Sequence, residues 1–125
     1  MICGKNYMPT LEDIATAAVQ GDALRVRSLA QEWFATSANT SAWVSPTTSD
    51  LNILAVTAAM AELFAARLRS DPPAWSQEIG AAPEALFLIK SARTMSRLRR
   101  LCETDSPSPF KKRRVYVPPN YLQFA

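Results

Sequence analysis

Two stretches near the start of the chain carry apolar residues at the spacing of an amphipathic helix. In the first, the apolar face consists of Leu11, Ile14, Ala17 and Ala18, and in the second it consists of Val26, Leu29, Ala30, Trp33 and Phe34. Thr10 is placed to cap the first helix with Asp13 three residues later, and Asp22 is placed to cap the second. Gly21 lies between them and tolerates the left-handed conformation that ends many helices. The pattern therefore predicts a tight helical hairpin.

A third and longer apolar stretch, residues 51–70, predicts the central helix of the fold. Its apolar residues fall on more than one face, which is typical of a helix that other elements surround. Residues 36–50 are rich in Ser, Thr and Asn and predict a linker, from which we expect Trp43 to pack on the core. Pro72 and Pro73 are expected to end the helix, because proline lacks the N–H group that a helix interior uses.

The second half of the chain has a less regular pattern. Residues 75–79 predict a short helical turn, whereas the apolar run at residues 86–89 fits either the start of a buried helix or a short extended segment. Residues 91–103 predict one helix with two distinct faces. The apolar face carries Ala92, Met95, Leu98 and Cys102, and the cationic face carries Arg93, Arg97 and Arg100. Because these arginines recur at positions i, i+4 and i+7, we expect them to share one surface.

Residues 106–125 form a tail of a different character, with four prolines, a run of four cations and several aromatic residues. We expect an all-α fold, in which a compact bundle of four to five helices is followed by this extended, proline-rich basic tail. The helical domain is predicted to span residues 1–105. A disordered tail has no need of aromatic and apolar side chains, so we expect residues 106–125 to pack on the domain or on a partner.

The composition excludes several kinds of chemistry. The chain contains no histidine, which removes the most common general base and metal ligand. The two cysteines, Cys3 and Cys102, are far apart, and the first residues lack the basic and then apolar pattern of a secretory signal. The longest apolar run, residues 53–66, is too short to span a bilayer. We therefore expect a cytoplasmic protein with no enzymatic activity, no cofactor, no metal site and no membrane contact.

Charge is distributed unevenly along the chain. Residues 1–89 carry a formal net charge of −4, whereas residues 90–125 have nine basic and two acidic residues and carry +7. Such a concentration is typical of a surface that binds anionic groups. The candidate binding residues are the cations Arg93, Arg97, Arg100, Lys111, Lys112, Arg113 and Arg114 and the aromatic residues Phe110, Tyr116 and Tyr121. The alternative is a solvated face whose arginines pair with Glu84, Glu103 or acidic groups of the N-terminal half.

The C-terminal half also contains short motifs in a defined order. They are Pro73-Ala74-Trp75, Leu86-Phe87-Leu88, the segment from Ala92 to Glu103, Pro107 to Pro109, Lys111 to Arg114, and Tyr116 to Leu122. Over residues 72–125 the chain resembles a group of small bacterial proteins that are similar to antitoxin-like partners of nucleotidyltransferase-type toxins. The resemblance implies a protein partner with an acidic, metal-binding active site, and it carries over no catalytic residue.

Together these features favour a non-enzymatic, antitoxin-like protein-interaction module that binds its partner through residues 90–124. The alternative is a nucleic-acid-binding or regulatory protein that uses the same cations, with Phe110 and Tyr116 stacking on bases. A third hypothesis is a homo-oligomer that associates through an apolar patch of the tail.

Overall fold

The computed structural model describes residues 10–36, 43, 45–119 and 121, so Cys3, the middle of the linker and residues 122–125 lie outside the described part of the chain. The described residues are mostly helical, as predicted. The helices are α1 (Leu11–Gln20), α2 (Ala23–Thr36), α3 (Leu51–Arg67), α4 (Ala74–Gln77), α5 (Ser96–Asp105) and α6 (Ser108–Lys111), with a 3-10 helix at Lys90–Arg93. The sequence predicts four to five helices, and the six found in this part of the chain include two of only four residues.

The predicted hairpin of α1 and α2 is confirmed, together with its caps. The Thr10 side chain accepts a hydrogen bond from the Asp13 N–H at 3.2 Å, and the Asp13 carboxylate accepts one from the Thr10 N–H at 3.0 Å. Gly21 ends α1 with a φ of 80°, and Asp22 accepts a hydrogen bond from the Arg25 N–H at 3.1 Å. A Cβ atom at position 21 would lie 2.5 Å from Cε of Lys90, a flexible side chain that would have to move, so the left-handed conformation is the main feature that favours glycine there.

The central helix α3 supplies much of the core, and it packs against α1 and α6. Phe64 is fully buried on it, and its ring centroid lies 5.2 Å from that of Trp33 in α2. Trp43, predicted to pack on the core, is buried, and its ring centroid lies 4.6 Å from that of Trp33. No helix among the described residues is long and apolar enough to cross a membrane.

The prediction of one helix over residues 91–103 is wrong, because the chain changes conformation between the 3-10 helix and α5. Met95 is extended, with φ −98° and ψ 104°, and it is the residue that precedes α5. This extended residue resets the helical phase, so Arg93 does not continue the face that Arg97 and Arg100 share. Met95 itself is 56% exposed and is not part of a buried apolar face.

Residues 106–117, which we call the C-terminal arm, return from α5 to the core. Within the arm, β2 (Val115–Tyr116) pairs in parallel with β1 (Leu86–Phe87), which resolves the open choice at residues 86–89 in favour of an extended segment. The side chains of Phe110, Val115 and Val117 are fully buried. The arm therefore contributes its own residues to the hydrophobic core.

Candidate binding surface

The fold divides the run of four cations at residues 111–114, because Arg113 points into the protein. Arg113 is only 3% exposed, and two of its guanidinium nitrogens lie 2.9 Å from the two carboxylate oxygens of Glu62 on α3. Its remaining N–H groups donate to three backbone carbonyl oxygens, those of Ser76, Ile79 and Pro109. All five N–H donors of the guanidinium are thus in use. The prediction that Arg113 contacts a partner must be corrected, since it has neither exposure nor a spare donor.

Lys112 completes this arrangement, and we call Glu62, Lys112 and Arg113 the clasp. The Lys112 ammonium lies 2.9 Å from the Glu62 carboxylate, although the lysine side chain itself is more than half exposed. Burial on its own raises the pKa of Glu62, but hydrogen bonds from Arg113 and Lys112 outweigh burial and hold that pKa below its ordinary value. The carboxylate therefore stays charged at neutral pH and ties the C-terminal arm to the central helix.

The basic run at residues 111–114 gives no indication that Glu62 on α3 binds two of its cations. A signal for it exists in the sequence, because Glu62 is an isolated acidic residue in the otherwise apolar run of residues 53–66. A carboxylate in the middle of a buried helix requires a cationic partner. The sequence does not indicate which of the fourteen Lys and Arg residues supplies it.

Two of the three aromatic residues predicted to contact a partner, Phe110 and Tyr121, pack within or against the hydrophobic core. Phe110 is fully buried, and its ring centroid lies 5.8 Å from that of Tyr121 in an edge-on arrangement. The prediction that Phe110 stacks on a base must therefore be corrected, because no face of its ring is accessible. Burial raises the pKa of the Tyr121 hydroxyl, and the Tyr121 carbonyl accepts a hydrogen bond from Arg67 at 2.7 Å. Both residues hold the end of the described chain against the core.

Tyr116 belongs to a partly buried aromatic stack near the surface. Its ring centroid lies 5.2 Å from that of Phe87, its partner in the parallel strand pair. The guanidinium of Arg99 lies 4.9 Å from the centroid of Phe87, within the range of a cation–π contact, and 3.6 Å from the carboxylate of Glu103. Among the described residues Glu103 thus pairs with Arg99, and not with Arg93, Arg97 or Arg100, for which the alternative was predicted.

Arg97 and Arg100 remain exposed on α5, and no other described residue forms an ion pair or hydrogen bond with their side chains. Together with Leu101 and Thr104 they form what we call the α5 face, with the i, i+3, i+4 and i+7 spacing of one helical surface. These four residues line a shallow depression of about 500 Å³ with Ser96 and Asp105.

Lys111 joins this surface through the C-terminal arm. Its ammonium donates a hydrogen bond to the carbonyl oxygen of Thr104 at 2.9 Å, at the carboxyl end of α5, where a cation is favourable. The structure therefore places Lys111 of α6 at the carboxyl end of the helix that carries Arg97 and Arg100. Arg114 is exposed but donates to the Pro83 carbonyl at 3.2 Å, while Arg93 is exposed on the 3-10 helix before the conformational break.

Two observations on the described part of the chain concern metal ligands and the reactivity of its thiol. Within that part of the chain, no group of three or more His, Cys, Asp or Glu residues is placed to hold a metal ion. Cys102 is fully buried on the inner side of α5, and burial raises the pKa of its thiol, with the nearby Glu103 charge adding to the effect. A thiol with a raised pKa is a poor nucleophile at neutral pH.

Comparison of the chain with protein-family models, with curated proteins and with solved structures found no match. The function of the chain must therefore be inferred from the chemistry of the surface itself. Three features matter. Arg97 and Arg100 are exposed on α5 with Lys111 of α6 at the carboxyl end of that helix, Leu101 is exposed on the same face, and the clasp removes Arg113 from the surface.

Proposed function

We propose that this chain is a non-enzymatic interaction protein that binds an acidic partner protein through the α5 face and Lys111. The observation that supports the proposal best is that Arg97 and Arg100 are exposed, with no ion pair or hydrogen bond to another described residue, on a helix whose position the fold fixes. Exposed cations without a partner contribute little to folding, so they are free to contribute to binding. The clasp is the contrary case, since its cations are paired within the chain.

A protein partner suits the α5 face better than nucleic acid does. Leu101 is 40% exposed on the same surface as the two arginines, and burial of an exposed leucine favours contact with an apolar protein surface. Asp105 lines the same depression and Glu103 is exposed nearby, so the surface also offers acceptors for hydrogen bonds from a protein partner. A mixed surface of arginine and leucine is typical of a protein interface.

The partner we propose is a nucleotidyltransferase-type enzyme, for which this chain is the antitoxin-like inhibitor. The active site of such an enzyme is acidic, because carboxylates hold its metal ions, and it also receives the phosphates of its substrates. A cationic helix is complementary to the acidic rim of such a site. Docked there, α5 covers the entrance to the site and excludes the substrate.

Co-expression with the product of the adjacent gene, followed by pull-down and gel filtration, tests this proposal. We expect a stable complex that the Arg97→Glu/Arg100→Glu variant fails to form, because both charges are reversed at the interface. The matched control is Arg25→Glu/Arg27→Glu, which makes the same changes at two exposed arginines of α2 and should leave the complex intact. Absence of any complex at low salt for the unaltered chain contradicts the proposal.

A second candidate function, binding of single-stranded nucleic acid, is favoured by one observation. Tyr116 and Phe87 are both partly exposed, and Arg114 lies exposed two residues before Tyr116. Aromatic side chains beside cations are typical of surfaces that stack bases and contact phosphates. Binding of random duplex DNA and single-stranded RNA at two salt concentrations distinguishes the candidates. Micromolar binding that collapses with salt supports nucleic acid, and no binding at low salt supports the protein partner.

A further inference from the structure

The inner and outer sides of α5 differ in the exposure of their apolar side chains. Cys102 is fully buried on the inner side, with Leu98 half-buried beside it, whereas Leu101 is 40% exposed on the outer side. Met95, immediately before the helix, is 56% exposed. Four large apolar side chains are exposed among the described residues. Two of them are Met95, just before this helix, and Leu101, within it. Leu101 lines the same depression as Arg97 and Arg100, which have no ion pair among the described residues, and an apolar side chain beside such cations is typical of a surface that a partner covers.

The underside of α5 is fastened at several points, which fixes the rotation of the helix. The Ser106 hydroxyl hydrogen-bonds to the Cys102 carbonyl and accepts a hydrogen bond from the Val117 N–H at 2.9 Å. The Arg99 side chain packs over Phe87 of β1. These contacts join α5 both to the C-terminal arm and to the strand pair. They hold the opposite side, the α5 face, outward in one orientation.

The carboxyl end of α5 is fixed as well. Lys111 reaches back from α6 to the Thr104 carbonyl, which satisfies a carbonyl oxygen that the end of the helix leaves without an intrahelical partner. A helix that is already formed and oriented loses little conformational freedom on binding. The α5 face therefore has the properties of a preformed ligand helix and not of a segment that folds on contact.

We infer that α5 binds as a ligand helix in a groove of the partner protein, with Leu101 inserted in an apolar pocket and carboxylates of the rim facing Arg97 and Arg100. This inference rests on the function proposed above and specifies the chemistry of the partner's surface. The positive charge of the α5 face requires an acidic rim, and the exposed Leu101 requires an apolar floor. In interfaces of this kind a buried central side chain carries much of the affinity, while charges at the rim guide association and alignment.

Affinity measurements with the product of the adjacent gene, as purified protein, test the role of Leu101. Leu101→Ala should weaken binding about tenfold or more, which is the loss expected when an anchoring side chain is truncated. Leu101→Met should restore most of the affinity, because it keeps the volume and apolar character of leucine. The matched control is Leu24→Ala, since Leu24 is 84% exposed on α2 and more accessible than Leu101. That control should bind like the unaltered chain.

The outcomes separate this inference from the proposal on which it rests. If Arg97→Glu/Arg100→Glu abolishes the complex while Leu101→Ala binds as tightly as Leu24→Ala, Leu101 does not anchor the helix. The proposed charged interface is still supported in that case. If the unaltered chain forms no complex at all at low salt, the proposed function fails and the anchor fails with it. Circular dichroism and thermal unfolding of each variant show whether a loss of binding follows from loss of the helix. Leu101→Met then separates the two causes, because it preserves helix and side-chain volume together.

Discussion

Arg113 in the C-terminal arm and Arg97 with Arg100 on α5 belong to the same basic third of the chain but have opposite surroundings. Arg113 is buried and shares the carboxylate of Glu62 with Lys112, and each of its N–H groups has an acceptor. Arg97 and Arg100 are exposed and have no partner among the described residues. Arginine side chains thus stabilise the interior of the fold in one region and form a candidate binding surface in the other.

The difference shows that the position of a counter-charge decides the role of an arginine in this fold. Burial of a guanidinium is tolerated only where a carboxylate and further acceptors replace water, as they do around Arg113. On α5 the nearest described carboxylate that forms an ion pair, Glu103, pairs with Arg99 at 3.6 Å. Arg97 and Arg100 therefore keep their charge available to a partner outside the chain.

The largest effect is expected when Arg113→Ala breaks the clasp. The change leaves the largely buried Glu62 carboxylate with Lys112 as its one ion-pair partner and a hydrogen bond from the Ser76 hydroxyl at 3.3 Å. Breaking a buried ion pair costs about 3–5 kcal/mol of the free energy of unfolding. Urea denaturation followed by circular dichroism measures this loss. The neighbouring substitution Arg114→Ala is the control, because Arg114 is exposed, and it should cost less than about 1 kcal/mol. Similar losses for the two variants would contradict the distinction between buried and exposed cations.

The second prediction concerns pH, because protonation of Glu62 removes the negative charge of the clasp and leaves its side chains in place. The pKa of Glu62 is held below its ordinary value of 4.5, so the clasp contributes fully above about pH 4.5. That contribution is lost as the pH falls through the lowered pKa of the folded state, because the protonated carboxyl no longer attracts Arg113 and Lys112. Denaturation at several pH values should show the unaltered chain losing its advantage over Glu62→Gln in acid. An advantage that stays constant down to the lowest pH would contradict this assignment.

Arg99 has an intermediate position, and its removal should have an intermediate effect. Its guanidinium lies over Phe87 and near Glu103, but its side chain is about half exposed to solvent. Arg99→Ala should lower the free energy of unfolding by about 0.5–1 kcal/mol, the usual contribution of an exposed cation–π contact. Arg99→Lys keeps the charge and should recover part of that loss in the same denaturation experiment. A loss as large as that of Arg113→Ala would show that α5 depends on Arg99 far more than its exposure indicates.

Local features of the fold were predictable because they depend on residues that are close in sequence. The capping of α1 by Thr10 and Asp13, the left-handed Gly21 and the packing of Trp43 all follow the expected pattern. The break before α5 was not predictable from periodicity. Ala92 and Cys102 are both fully buried and are compatible with one continuous helix, although an extended Met95 separates them in the structure.

The candidate binding surface was only partly predictable because its composition depends on contacts that are distant in sequence. Arg113 meets Glu62 across 51 positions, and nothing within residues 111–114 indicates which of the four cations turns inward. The position of Phe110 beside a basic run predicts an aromatic residue at the surface, yet Phe110 is fully buried. Arg97 and Arg100 were predictable as one surface because both lie on one helix, where spacing alone determines the face.

The smallest effect on stability, and the sharpest test of the comparison, is expected from replacing Arg93, Arg97 and Arg100 together by alanine. All three are exposed and none has an ion pair among the described residues, so the free energy of unfolding should change by no more than about 0.5 kcal/mol. Alanine also has the highest helix propensity, so α5 should remain formed. The same variant should bind the partner protein weakly or not at all. Thermal unfolding and affinity measured on one preparation separate the two properties. Loss of the thermal transition would show that these arginines stabilise the fold as Arg113 does, and the distinction between the two regions would then fail.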